Sequence, residues 1–167
     1  MLADKILILY DGKAQQFGTP EEIFYHPENL HVAELIGISN IFDDAYVEDY
    51  DEESKSVMLK SGDMRIKTRS PKLRAGDKIS WGIHPENITL LRADSGSEKH
   101  DENIYSAYVN SIINKGPKKR IALKLVKHNK SLTAEIPAQF VDSLKLNAGS
   151  LCLVRLEISK IVAFHNY

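Results

Sequence analysis

The apolar positions of this chain fall into short runs separated by turn residues, and the runs change period once near the start. Lys5 to Tyr10, KILILY, is a strand whose unbroken Ile/Leu content predicts burial on both faces. Asp11-Gly12 follows, a pair suited to the positive φ angles of a two-residue hairpin turn, and KAQQF returns. At GTPEE the pattern becomes helical. Thr19 can cap a helix, Pro20 suits the first helical position, and Glu22 stands three residues after Thr19, as a capping box requires. Pro27 interrupts that helix, and a second one, ENLHVAELIG, ends on Gly37. The expectation is a hairpin over residues 5–18 and a broken helix over 20–36. Two strands and a helix bury too little to fold alone, so this segment reads as the trailing edge of a larger α/β domain.

Beyond residue 40 the period is two. Strand-like runs occur at SVMLK, MRIKT, KISWGI and ITLL, then at AYVNSII, RIALKLV, LTAEI, LCLVRLEI and KIVAF. Turn residues separate them at Ser61-Gly62-Asp63, Asn114 to Pro117 and His128 to Lys130, and QFVDSLKL is a short helix. The runs repeat. Asn40 to Val47, NIFDDAYV, matches Asn103 to Val109, NIYSAYV; Lys72 to Ile79, KLRAGDKI, matches Lys145 to Cys152, KLNAGSLC. Gly76 precedes Ile88 by twelve positions, and Gly149 precedes Ile161 by the same twelve. One supersecondary unit is used twice. Five short strands and a small helix per copy predict a closed or partly closed barrel, since closure removes open sheet edges. The fold class expected is mainly β: tandem OB-like small barrels preceded by a hairpin and helix. The boundaries expected are 1–38 for the hairpin and helix, 39–92 for the first barrel, 93–102 for a polar linker, and 103–167 for the second barrel.

Composition narrows the field. The chain has 167 residues, 43% apolar and 27% charged, enough for a core. Twenty-two basic and 23 acidic residues leave a net charge of -1, so no overall field draws the chain to nucleic acid or anionic lipid. The single cysteine, Cys152, has no intrachain disulfide partner and sits in an apolar run, which fits a reducing compartment. No run approaches a membrane span, and no signal peptide is visible.

The first segment, LADKILILYDGKAQQFGTPEEIFYHPENLHVAELIGISNIF, resembles the end of the ATPase domain in ABC importer ATP-binding subunits. Leu2, Ala3, Asp4, Ile6, Gly12, Gly18, Thr19, Pro20, Glu22, Ile23, Pro27, Ala33, Ile36, Gly37 and Asn40 carry the likeness. The rest resembles the tandem TOBE barrels that follow that domain in maltose-, molybdate-, spermidine-, iron- and sulfate-type importers. WGIHPENITLL is similar to their GIRPEDI signature: Gly82, Ile83, Pro85, Glu86 and Ile88 match, His84 replaces the usual arginine, Asn87 the usual acid or histidine, and Trp81 precedes the motif. Trp81, Gly82, Ile83, Pro85 and Glu86 are therefore taken as structural signature residues, with Trp81 supplying buried surface and Pro85 fixing a turn. The resemblance implies that the nucleotide-binding core, with its ATP and magnesium, precedes this chain in a full-length subunit. It also implies a homodimer through the C-terminal barrels, membrane permease partners, and a cytoplasmic place on the inner face of the membrane.

Chemistry within the chain itself is sparse. There is no P-loop, no LSGGQ and no strand ending in paired acids, so no catalytic residue and no cofactor site is assigned, and ATP hydrolysis by this chain alone is not expected. Six scattered histidines give no ligand spacing, so no metal is assigned. The tail looks more like molybdate-type barrels than sugar-importer ones, which makes a small oxyanion a candidate ligand. Thr133, Lys118, Lys119 and Arg120 are the candidate contacts, but Glu157 stands where those barrels place a lysine, and a carboxylate repels an oxyanion. Nucleic acid is disfavoured: the basic run NKGPKKR is followed by no aromatic platform and reads as a solvated hairpin loop. The acidic stretch EDYDEESK reads as a solvated turn. The leading function is a regulatory and dimerising module of an importer ATPase, with solute sensing of the molybdate or tungstate type as an extension. The alternative is a stand-alone oxyanion- or nucleic-acid-binding OB-fold protein.

Overall fold

The computed structural model describes residues 4–70, 73–94 and 103–165. Two compact units divide the chain: one runs to Ile83 and resumes at Ser159, the other is His84–Ile158.

The first unit begins with β1 (Ile6–Tyr10) and β2 (Lys13–Gly18), an antiparallel pair. Asp11 and Gly12 close it at φ 49° and 71°, the double positive φ anticipated for this turn. Helix α1 (Pro20–Tyr25) has Thr19 as its cap. The Glu22 N–H donates to Thr19 Oγ1, and the Thr19 N–H donates to the Glu22 carboxylate at 2.8 Å. Helix α2 (Leu30–Leu35) starts at Asn29, whose side chain accepts from Val32 N–H. Ile8, Ile23 and Val32 form a small core between hairpin and helices. The expected two-sided burial of β1 is not found. Ile8 alone is buried, while Leu7, Leu9 and Phe17 on β2 are more than half exposed. Among the described residues, only the Lys5 ammonium over the Phe17 ring is seen against the far face of the hairpin.

The same unit contains β3 (Asn40–Asp51), β4 (Ser56–Ser61), β5 (Met64–Arg69), β6 (Lys78–Ile83) and, from the chain's end, β12 (Ile161–His165). Their order is β12-β6-β3-β4-β5, all antiparallel. The sheet curls until Thr68 on β5 donates its hydroxyl to the Ile161 carbonyl on β12 at 2.9 Å. Val57, Leu59, Met64, Ile66, Ile79, Trp81 and Ile83 are completely buried there. Alternation dictates this: along β4 and β5 the odd-spaced apolar residues point in and Lys60, Arg65 and Arg69 do not.

The second unit contains β7 (Ile88–Arg92), β8 (Ile104–Lys115), β9 (Lys118–Leu125), β10 (Ser131–Pro137) and β11 (Leu151–Leu156), in the order β10-β9-β8-β11-β7. Helix α3 (Ala138–Leu144) follows β10, as the pattern of residues 139–146 anticipated. Ile121, Leu123, Ala134, Cys152 and Val154 are completely buried.

The duplication is visible bond by bond. Asn40 at the start of one copy donates its amide to the Ile83 carbonyl at 3.1 Å, and Asn103 does the same to Leu156 at 3.2 Å. Gly76 N–H donates to Val47 O and Gly149 N–H to Val109 O, with both glycines near φ 90°. A short 3-10 turn precedes the last strand of each copy, at Pro85–Asn87 and Ile158–Lys160. Those last strands are exchanged: β7, from the first copy, pairs with β11, while β12, from the second copy, pairs with β6. The spatial units therefore part at 83/84 and 158/159, whereas the sequence copies run over 39–92 and 103–167. Most of the expected linker, residues 95–102, lies outside the described residues.

Candidate functional site

Trp81 stands at the centre of the first barrel. It is fully buried, and its indole N–H donates to Ser61 Oγ at 3.0 Å. Ser61, equally buried, donates in turn to Asp44 Oδ1 at 2.5 Å. Asp44 reaches it because the β3–β6 register shifts between Phe42 and Ala45. Phe42 stacks on the indole at 4.6 Å between ring centroids. Gly82 is there for space: a Cβ would lie 2.8 Å from the Asn40 carbonyl and 2.9 Å from Ile38. Ile83 ends β6 fully buried, and Pro85 heads the 3-10 turn with its ring buried. Glu86 differs in kind. Its carboxylate is exposed and pairs with Lys118.

The basic run is not a loop. Only Gly116-Pro117 turn, and Lys118, Lys119 and Arg120 already belong to β9. Each meets a carboxylate: Lys118 meets Glu86, Lys119 meets Asp142 on α3, and Arg120 meets Glu135 at 2.6 Å. Lys115 also reaches Glu135. Hydrogen bonds from Arg120 hold the Glu135 carboxyl below its ordinary range, and the bond that Lys118 donates to Glu86 pushes its ammonium up. Thr133 lies on β10 opposite Ala122, away from the Gly116-Pro117 end where Lys118 and Lys119 begin β9. The structure thus gathers the candidate cations with acids of their own unit. The acidic stretch also differs from expectation: Glu48 to Asp51 extend β3, and only residues 52–55 turn. There Asp51 accepts from Ser54 Oγ and Glu53 N–H, and those bonds lower its carboxyl.

Two exposed apolar surfaces stand out. On the hairpin, Leu7 faces Phe17 across the ladder, with Leu9 beside them. On the second barrel, Tyr108 faces Leu151, and both are nearly half exposed. The first unit also holds an open cleft of about 530 Å³. Leu73, Val162 and Phe164 lie buried in its wall, Phe17 and Tyr25 flank it, and charged side chains stand around it. Lys160 places its ammonium over the Tyr25 ring at 4.8 Å. Among the described residues no group of histidine, cysteine and carboxylate could hold a metal ion, and no helix is long and apolar enough to cross a membrane.

The chain is 35% identical over 98 residues to the spermidine/putrescine import ATP-binding protein PotA of Clostridioides difficile. It is 29% identical over 135 residues, 81% of its length, to PotA of Fusobacterium nucleatum. The chain is thus similar to part of these importer ATP-binding proteins. It spans 26% and 36% of the length of these two relatives. No protein-family model matches it. A crystal structure of ModG, a cytoplasmic molybdate-binding protein, superposes with a TM-score of 0.68 at 19% identity, covering 77% of this chain and 97% of that one. That likeness confirms the tandem OB-like barrel fold.

The importer resemblance was legible in the sequence, and the mainly β fold with it. What sequence reasoning missed were the partners of the charged residues and the Trp81–Ser61–Asp44 relay. In the sequence Ser61 reads as a turn residue, and nothing beside it signals a buried acceptor.

Proposed function

We propose that this chain is the regulatory and dimerising C-terminal portion of an importer's ATP-binding subunit. In the full-length subunit, ATP and magnesium are bound upstream of these residues, and hydrolysis drives solute uptake through membrane permease partners. The barrels hold two subunits together on the cytoplasmic side of the membrane while the ATPase halves open and close. A tether of this kind raises the effective concentration of the halves without touching the chemistry. A regulator acting here works by favouring one of the two arrangements.

The observation that carries this reading is the hairpin. Its buried face packs on α1 and α2, while Leu7, Leu9 and Phe17 face outward, as expected of a sheet edge that belongs against a larger domain. The importer relatives match this chain over up to 81% of its length. They are named for spermidine and putrescine, which makes polyamines the first solutes to test in the full-length subunit. The oxyanion extension draws little from Lys118, Lys119 and Arg120, each already held by a carboxylate.

The test uses a full-length subunit ending in this chain, and the same subunit lacking residues 39–167. ATP hydrolysis by detergent-solubilised transporter is the readout. The reading expects hydrolysis by both and loss of dimer retention and regulation in the shortened form. Equal dimer retention by the two would overturn it.

A further inference from the structure

The open cleft of the first unit is lined by charged side chains of both signs. Several strand cations in this protein are paired: Arg65 with Glu48, Arg92 with Asp94, Lys118 with Glu86, Lys119 with Asp142, Arg120 with Glu135. Arg69, at the end of β5, lines the cleft with no ion-pair partner among the described residues. From the α1–α2 connection, Glu28 lines it too, and its carboxylate has no partner among the described residues. Two amide side chains beside it are engaged. Gln16 donates to the His26 carbonyl and accepts from Glu28 N–H, and Asn29 bonds Gln15 and Val32. One uncommitted cation and one uncommitted anion therefore border a cavity of about 530 Å³ with Leu73, Val162 and Phe164 behind them. That volume suits a small organic molecule.

We propose that this cleft binds a small zwitterion with an apolar body, of the α-amino-acid class. Its ammonium is taken by Glu28, its carboxylate by Arg69, and its side chain by the apolar wall. A guanidinium and a carboxylate pair recognise such a ligand by charge-assisted hydrogen bonds at both ends, and displaced water from the wall adds the apolar contribution. The inference rests on the first unit alone and stands whether or not the importer reading does. If that reading holds, the cleft lies where the hairpin and helices meet the first barrel, so occupancy would stiffen that junction.

The test titrates the intact chain with L-phenylalanine by calorimetry and by amide chemical shifts. N-acetyl-L-phenylalanine, which lacks the cation, and L-phenylalaninamide, which lacks the carboxylate, are the second and third ligands. Arg69→Gln and Glu28→Gln are made separately; both side chains are exposed, so folding is unaffected. The expected result is saturable binding with shifts confined to the cleft, weakened about tenfold by either substitution. Arg69→Gln should leave phenylalaninamide binding unchanged, and Glu28→Gln should leave N-acetylphenylalanine binding unchanged. No saturable binding of L-phenylalanine, or binding indifferent to both substitutions, overturns the proposal.

Discussion

Ser61→Ala is a one-atom change at the centre of the first barrel, and its cost can be worked from the hydrogen bonds. The hydroxyl accepts from the Trp81 indole at 3.0 Å and donates to Asp44 at 2.5 Å, with Ser61 and Trp81 both fully buried. Removing it leaves the indole N–H without that acceptor in a dry core. An unsatisfied buried donor costs about 1–3 kcal/mol, more than the net ~1 kcal/mol of a typical exposed bond. The lost contact to the Asp44 carboxylate adds to this, while the cavity left by one oxygen is small. The expected loss is about 2 kcal/mol. Urea unfolding reads it directly, because Trp81 is the single tryptophan and its fluorescence reports this barrel alone. For an m-value of about 2 kcal/mol/M the midpoint falls by about 1 M. The relay adds a sharper condition: Ser61→Ala made in a Trp81→Phe background, followed by circular dichroism, should cost clearly less, because the stranded donor is already gone. A change below about 0.5 kcal/mol in the native background, or identical costs in both, would refute the reasoning.

Three other outcomes follow from the geometry. Deleting the chain from Ser159 onward removes β12 from the first barrel, so amide signals of β5 and β6 should collapse while β9 and β10 keep native shifts; collapse of the second unit instead would contradict the strand exchange. Gly82→Ala places a Cβ against the Asn40 carbonyl at 2.8 Å and should cost about 1–3 kcal/mol in thermal or urea unfolding, with a neutral result counting against the close approach. Glu135 has its carboxyl lowered chiefly by Arg120, so its contribution to stability is present above the unfolded pKa and is lost as pH falls through the lowered folded value; Arg120→Gln should raise that carboxyl's NMR titration midpoint, and an unmoved midpoint would refute the pairing.

The sequence disclosed what is local and withheld what is not. Asp11-Gly12, the Thr19–Glu22 box and the Pro20 start act within four residues, so their conformations were readable from composition and spacing. The twelve-residue spacing from each turn glycine to each final strand revealed the duplication. It did not reveal that β7 and β12 trade places, because alternation marks a strand and one buried face without naming the neighbour. Charge misled for the same reason. Lys118 to Arg120 read as a solvated loop because their partners, Glu86, Glu135 and Asp142, are 15 to 32 positions away. The apolar run of β1 reads as buried on both faces, yet Leu7 and Leu9 are more than half exposed among the described residues. The cleft flanked by Arg69 and Glu28 joins segments about forty positions apart.

The central claim is that these residues join subunits and perform no chemistry of their own. Sedimentation equilibrium of the chain up to submillimolar concentration, with ATP hydrolysis assayed on the same sample, addresses it most directly. The account predicts a reversible dimer weakened by Leu151→Lys on the second barrel, and no turnover. A strict monomer throughout, or hydrolysis by the chain itself, would contradict it.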